Sequence, residues 1–340
     1  MNGSRLNILV ANNYLEMIGG SEVFTYALIE ELVKKGHDVE YFTFHKGFVS
    51  TKIENDLGVN YKSKNRYDLI LANHNTCVEE LFKLGCIIQT CHGIFPLLEQ
   101  PCKFADGFVT ISEEVQDHLF KKNYRSKLIL NGINLDRFRC TRPIGSKLKT
   151  ILSLSHSEDV NSIISGICKK LEINFLQLNK MINPKWNIEH EINKADLVIG
   201  LGRSAYDAMA CGRTVIIFDK RNYMKESFGD GYVTANNIDN FIKNNCSGRY
   251  SNNIIDEIKL EKEILKYNPF DGKLLREFAE NELSISTNVD VYLDFYYEIR
   301  NKFSNKFKRL NIILIIIADF KERNIYNLKV FIYNLIIKKH

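Results

Sequence analysis

No Cys-x-x-Cys pair occurs in the 340 residues, and His92 and His156 have no partners at zinc-ligand spacing, which excludes a zinc module. The eight cysteines (Cys77, Cys86, Cys91, Cys102, Cys140, Cys168, Cys211 and Cys246) are scattered, several of them inside apolar runs. That reads as reduced thiols in a cytoplasmic protein, not as a disulfide framework. No apolar run reaches the roughly 20 residues that span a bilayer. The chain enters a strand-like run by residue 6, so no secretory signal is expected. The five prolines carry no functional signal, while 45% hydrophobic and 26% charged residues fit a globular rather than a disordered or fibrous chain.

A net positive charge is also missing from most of the chain. Residues 302–340 hold nine Lys/Arg against Asp319 and Glu322, a net +7, and the whole chain carries +5, which leaves residues 1–301 at −2. A slightly acidic body without a basic stripe argues against nucleic acid as a partner. In the tail the basic residues are interleaved with Leu310, residues 312–317, Phe320, Val330, Phe331, Tyr333 and residues 335–337. One reading is a surface helix on anionic lipid at the inner membrane face; the other packs these apolar faces on the body and leaves the lysines in water.

Periodicity organises the rest. Residues 6–11 read as a strand, 12–20 as a loop, and 21–35 as a helix with Val23, Ala27, Leu28 and Leu32 on one face. Gly36 closes that helix and residues 39–44 form the next strand, giving a βαβ unit. Further strands are expected at 68–72, 87–91, 107–111 and 128–130, with a helix carrying Val78 and Leu81 and another capped by Ser112 and running to Phe120. Asn131 and Asn134 read as turn formers, since Asn tolerates left-handed geometry. A charged segment at 139–149 with Pro143 and Gly145 serves as linker. A second run follows: a strand from Thr150, a helix over 160–171, a strand over 175–178 and a short helix near 188–193. From Asp239 onward the pattern is helical, with no further strand. The expectation is an α/β chain with Rossmann-like domains over 1–142 and 143–268 facing a central cleft. A helical basic extension, 269–340, would pack back on the first domain or lie on membrane.

Residues 195–218, ADLVIGLGRSAYDAMACGRTVIIF, are the most informative. They read as a buried strand, a turn at Gly200 and Gly202, a short helix and a second buried strand. A helix that starts beyond the carboxyl edge of a sheet points free N–H groups and partial positive charge outward, a ready anion site. Asp207 would face a ligand there. Alternatively Ser204 and Asp207 form a capping box that satisfies the helix's own N–H groups.

Five segments in order resemble one family. IGGSE at 18–22 with GHDV at 36–39, TCHG at 90–93, ADGFVTIS at 105–112, NGINLDRF at 131–138 and DAMACGRTVI at 207–216 are similar to landmarks of glycosyltransferases of the GT-B fold. The group they resemble most is the large retaining family 4. The resemblance implies a sugar moved from a nucleotide-sugar donor to a glycan or lipid-linked acceptor, in surface polysaccharide assembly, by an enzyme without a cofactor. It implies that the loop of Gly19, Gly20, Ser21 and Glu22 closes on donor phosphates and acceptor. His92 would sit by the reacting sugar, Asp207 would hold the ribose, and Gly202, Arg203 and Ser204 would meet the diphosphate. No Asp-x-Asp triad occurs, so leaving-group stabilisation by a helix end and cations is expected in place of a metal.

The chain also departs from that pattern. Ile199 lies in the strand where the family places the first of two glutamates, and the second is Asp207. His156 stands where an arginine of the phosphate-binding pair is usual, with no lysine nearby; Arg203, Arg213 or Arg221 are the candidates to compensate. A sugar-nucleotide epimerase on the same fold and a catalytically silent binding subunit are the alternatives.

Overall fold

The computed structural model describes residues 5–179, 182–220, 226–251 and 253–302. In chain order its elements are β1(Asn7–Ala11), β2(Tyr14–Leu15), α1(Gly20–Lys34), β3(Asp38–Phe42), β4(His45–Lys46), α2(Phe48–Leu57), β5(Leu69–Ala72), α3(Asn75–Leu81), β6(Cys86–Cys91), β7(Gly107–Thr110), α4(Glu113–Lys121) and β8(Lys127–Leu128). Then follow β9(Thr150–Ser153), α5(Glu158–Lys170), β10(Asn174–Gln177), α6(Ile188–Ile192), β11(Leu197–Gly200), α7(Arg203–Ala210), β12(Thr214–Asp219), β13(Phe228–Tyr232), α8(Ile238–Phe241), β14(Asn253–Ile254), α9(Glu257–Ile264), α10(Pro269–Glu282) and α11(Ile285–Lys302).

Two six-stranded sheets result, in the orders β3-β1-β5-β6-β7-β8 and β10-β9-β11-β12-β13-β14. The first is parallel throughout. In the second, β13 and β14 add antiparallel edges to a parallel set. The central strands read Leu-Ile-Leu-Ala and Leu-Val-Ile-Gly and are buried along their whole length, as strands covered on both faces must be. Apolar clusters lie on both faces of the second sheet; one joins Leu152, Val198 and Val215 to Met209 of α7, the other joins Ile151, Leu197 and Ile216 to Ile164 of α5. Both sheets precede Leu293, where the chain divides into two units.

The expected strands and helices are present to within a few residues. Ser112 caps α4, its side chain accepting from Val115 N. Three features correct the sequence reading. A strand does follow Asp239, because β14 pairs with β13 through Phe228↔Ile254. A two-stranded parallel ribbon, β2 with β4, occupies part of the expected loop after β1. Helix α2 was not anticipated; it buries only Val49, Ser50 and Ile53, too few for a visible stripe. Helix α10 packs on α7, and Leu275, Ala279 and Leu283 enter the core of the second sheet. The basic tail beyond residue 302 lies outside the described residues.

Candidate active site

A crevice of about 490 Å³ opens between the two sheets. Its wall comes from loops leaving the carboxyl ends of strands. Residues 18–21 lie beyond β2, 92–96 beyond β6, His156 beyond β9, and 201–204 beyond β11. Open α/β sheets bind ligands at this edge, where backbone N–H groups and helix starts converge.

Helix α7 begins there. Gly202 is its N-cap at φ 56°, ψ −124°, a left-handed conformation that glycine alone adopts without strain. The capping-box reading does not hold: Ser204 is already inside the helix, and no side chain caps it. Asp207 is instead paired with Arg203, Nε to Oδ1 at 3.0 Å. Arg203 Nη1 donates to Gly132 O at 3.0 Å, which ties α7 to the loop after β8. Among the described residues its buried Nη2 has no partner, and the same is true of Asn131 Oδ1 and Ser247 Oγ on the same crevice. The segments that carry them meet, since Asn131 Nδ2 donates to Asn245 Oδ1 at 3.5 Å and Gly202 N donates to Cys246 O at 2.9 Å. Burial raises the Asp207 carboxyl above its ordinary range, against the pull of Arg203.

On the opposite wall His92 Nε2 lies 2.8 Å from Asn73 Oδ1, and the Phe24 ring meets the imidazole edge-on at 5.4 Å. Burial, and then the nearby His74 and Arg203, push its pKa down to about 3. Glu99, on the short turn Leu97–Glu99, is on the same wall. Burial and then Glu22 push its carboxyl up to about 7. Gly19, Gly20 and Ser21 line the crevice. Glu22 does not; its carboxylate folds back over Gly19, where a Cβ would collide with it, and accepts from Ser21 Oγ at 3.1 Å.

The structure therefore brings His92, His156, Gly202, Arg203, Ser204, Asp207, Gly19, Gly20 and Ser21 to one crevice. Arg213 is not a spare phosphate ligand. It is fully buried, donating to Ala195 O and Cys211 O at 3.0 Å each. Arg221 lies outside the described residues. Asn134 does form a turn, its Oδ1 accepting from the backbone N of Asp136 and Arg137 at 3.0 Å. Asn131, read as its equal, instead lines the crevice, with an Oδ1 that has no partner among the described residues. Sequence reasoning passed over Glu99, Lys185, Trp186 and Arg249, which also line the crevice. Nothing local marks them: they are an ordinary acid, two cations and a loop aromatic until the two sheets come together.

No family model and no curated protein matches the chain. Solved structures do. A glycosyltransferase from Rickettsia africae is 15% identical with a TM-score of 0.58, the match covering 87% of this chain and 99% of that one. An alpha-glucosyltransferase in complex with UDP and a 13-mer DNA containing an HMU base is 11% identical, TM-score 0.52, over 86% and 100% of the two chains. A Listeria monocytogenes protein described as a UDP-N-acetylglucosamine 2-epimerase is 12% identical, TM-score 0.51, over 86% and 95%. Likeness at such low identity is a likeness of fold. With its two parallel-stranded halves set around one crevice at their strand ends, the chain has the GT-B fold.

Proposed function

We propose that the chain is a glycosyltransferase that binds a nucleotide-sugar in this crevice and passes the sugar to a glycan or lipid-linked acceptor, with retention and without a metal. The observation that carries the reading is the buried Arg203 Nη2 at the start of α7, which has no partner among the described residues. Leaving such a donor unmet costs about 1–3 kcal/mol, so the site is built for an anion that accepts from it. A diphosphate leaving group is such an anion, and its charge grows as the sugar bond breaks. Donors preorganised there lower the barrier by about 3 kcal/mol each. Arg249, Lys185 and Arg137 add cations to the lining, which supports diphosphate binding despite His156 at the usual arginine position. On this reading Asp207 holds the ribose through the geometry Arg203 gives it, and His92 faces the transferred sugar. Surface polysaccharide synthesis is the setting we propose.

A silent binding subunit is the second reading, because the ion pair already occupies Asp207. The alpha-glucosyltransferase neighbour was solved with UDP, so uridine nucleotide sugars head the screen. Nucleotide sugars are tested by thermal shift, and the best binder is assayed for hydrolysis and for transfer. Binding with turnover is expected, with Arg203→Ala, Asp207→Ala and His92→Ala each lowering turnover at least about tenfold. Binding without turnover, with or without acceptor, establishes the silent subunit, and wild-type rates in all three variants refute the site.

A further inference from the structure

Behind His92 runs a line of buried side chains whose hydrogen bonds can be read proton by proton. Asn12, Thr25 and Asn73 are 0%, 0% and 1% exposed. Thr25 Oγ1 donates to Ser21 O at 2.7 Å, one turn back in α1. A hydroxyl has a single proton, so Thr25 Oγ1 meets its other two neighbours as acceptor. These are Asn12 Nδ2 and Asn73 Nδ2, each at 2.9 Å. Asn12 is held in this sense independently, because its Oδ1 accepts from Tyr14 N at 3.2 Å. Asn73 Nδ2 also points toward Ala11 O at 3.4 Å. Turning the Asn73 amide over would set its oxygen against two acceptors, a hydroxyl lone pair and a carbonyl. Its Oδ1 therefore faces His92 Nε2 at 2.8 Å, and that nitrogen must carry the ring proton.

We propose that Asn73, oriented by Thr25, is a positioning residue that fixes His92 as the Nε2–H tautomer and leaves Nδ1 to accept a hydrogen bond from a hydroxyl group of the ligand. Nδ1 has no partner among the described residues. Around the ring stand Phe24 of α1, His74 at the foot of α3 and Arg203 of α7, none of them a carboxylate that would favour a second proton. The imidazole is thus neutral and its one N–H is spent on Asn73. It can take a hydrogen bond from the ligand but has no proton to give. The identity of the hydroxyl as a sugar's rests on the reading of the crevice given above; the tautomer does not.

The test is a two-dimensional ¹H–¹⁵N spectrum of the imidazoles in the full chain, with the His92 signals assigned by their loss in His92→Gln. The expected result is a protonated Nε2, a bare Nδ1 and no titration between about pH 5 and pH 8. Thr25→Val removes the hydroxyl at nearly constant shape and should give a mixture of tautomers, whereas Thr25→Ser restores the wild-type pattern. Asn73→Asp sets a carboxylate against the N–H and should move the His92 midpoint up by at least about one unit. A proton on Nδ1 in the wild type overturns the proposal, and so do Thr25→Val and Asn73→Asp spectra identical to wild type. Should a variant fail to fold, the wild-type spectrum alone decides the tautomer. If that spectrum is as expected and no nucleotide sugar binds, the transferase reading falls and the Asn73 assignment stands.

Discussion

Glu99 lies on the crevice wall with no hydrogen bond or ion pair to its carboxylate among the described residues, and its pKa is pushed from 4.5 to about 7. The group holds its proton more tightly when folded than when unfolded. Its ionisation therefore costs the fold nothing below pH 4.5, progressively more as pH rises through 7, and a constant amount above that. The cost is about 1–3 kcal/mol at pH 8. Glu99→Gln should accordingly match wild type in urea unfolding near pH 4 and exceed it by that amount near pH 8. Equal stabilities at both pH values would show the carboxylate to be solvated. Natural sequences retain such a penalty where the group serves a ligand, since an exposed position would have avoided it.

At the scale of elements, the two glycine turns make opposite demands. Gly202 holds a positive φ at the start of α7, so Gly202→Ala strains the backbone whatever the space around it. A loss of about 1–3 kcal/mol in unfolding free energy is expected, together with weaker ligand binding. Gly20 opens α1 with nothing within 4 Å of a Cβ. Gly20→Ala should leave stability unchanged or raise it by up to about 1 kcal/mol, because alanine has less chain entropy to lose. If a diphosphate lies against that turn, the same substitution still weakens nucleotide-sugar binding; unchanged affinity by calorimetry would remove the loop from the site. Both turns were legible in the sequence, since glycine at a strand end is a local signal. So were the parallel strands of both sheets, whose apolar runs end at such punctuation. The antiparallel pair β13 and β14 was not, because Phe-Gly-Asp-Gly-Tyr carries too few apolar residues to read as a strand. Asp207 looked like a cap or a ligand contact, and only the fold shows it paired with Arg203. Asn73 and Thr25 looked like nothing at all, because their meaning lies in contacts between residues 48 positions apart.

On the scale of the two facing halves, the crevice is bridged at both ends. At one, Arg249 donates to both oxygens of Glu114 on α4, and Asn244 adds a bond at 3.1 Å. At the other, Trp186 of the second half stands edge-on to Tyr26 of α1 at 4.9 Å and to Phe48 of α2 at 5.7 Å, with the Arg137 guanidinium 5.0 Å from its ring centre. Aromatic and cation–π contacts of this kind are worth about 1 kcal/mol each, enough to bias the halves together but not to lock them. Domains joined by such modest contacts rearrange when a ligand bridges them. Trp186 is the one tryptophan in the sequence and also lines the crevice, so it reports that movement without a label. Titration with the nucleotide sugar selected by thermal shift should change tryptophan emission saturably, with the affinity that calorimetry gives. Trp186→Phe should abolish the signal while preserving binding to within about threefold, since an aromatic edge remains against Tyr26. Arg249→Ala removes the far clasp together with one cation of the lining; it should weaken binding and, at saturating ligand, enlarge the fluorescence change, because the unliganded halves then start further apart. Calorimetric binding with silent tryptophan emission would mean that the ligand is held by one half alone and that the bridge at Trp186 takes no part in its capture.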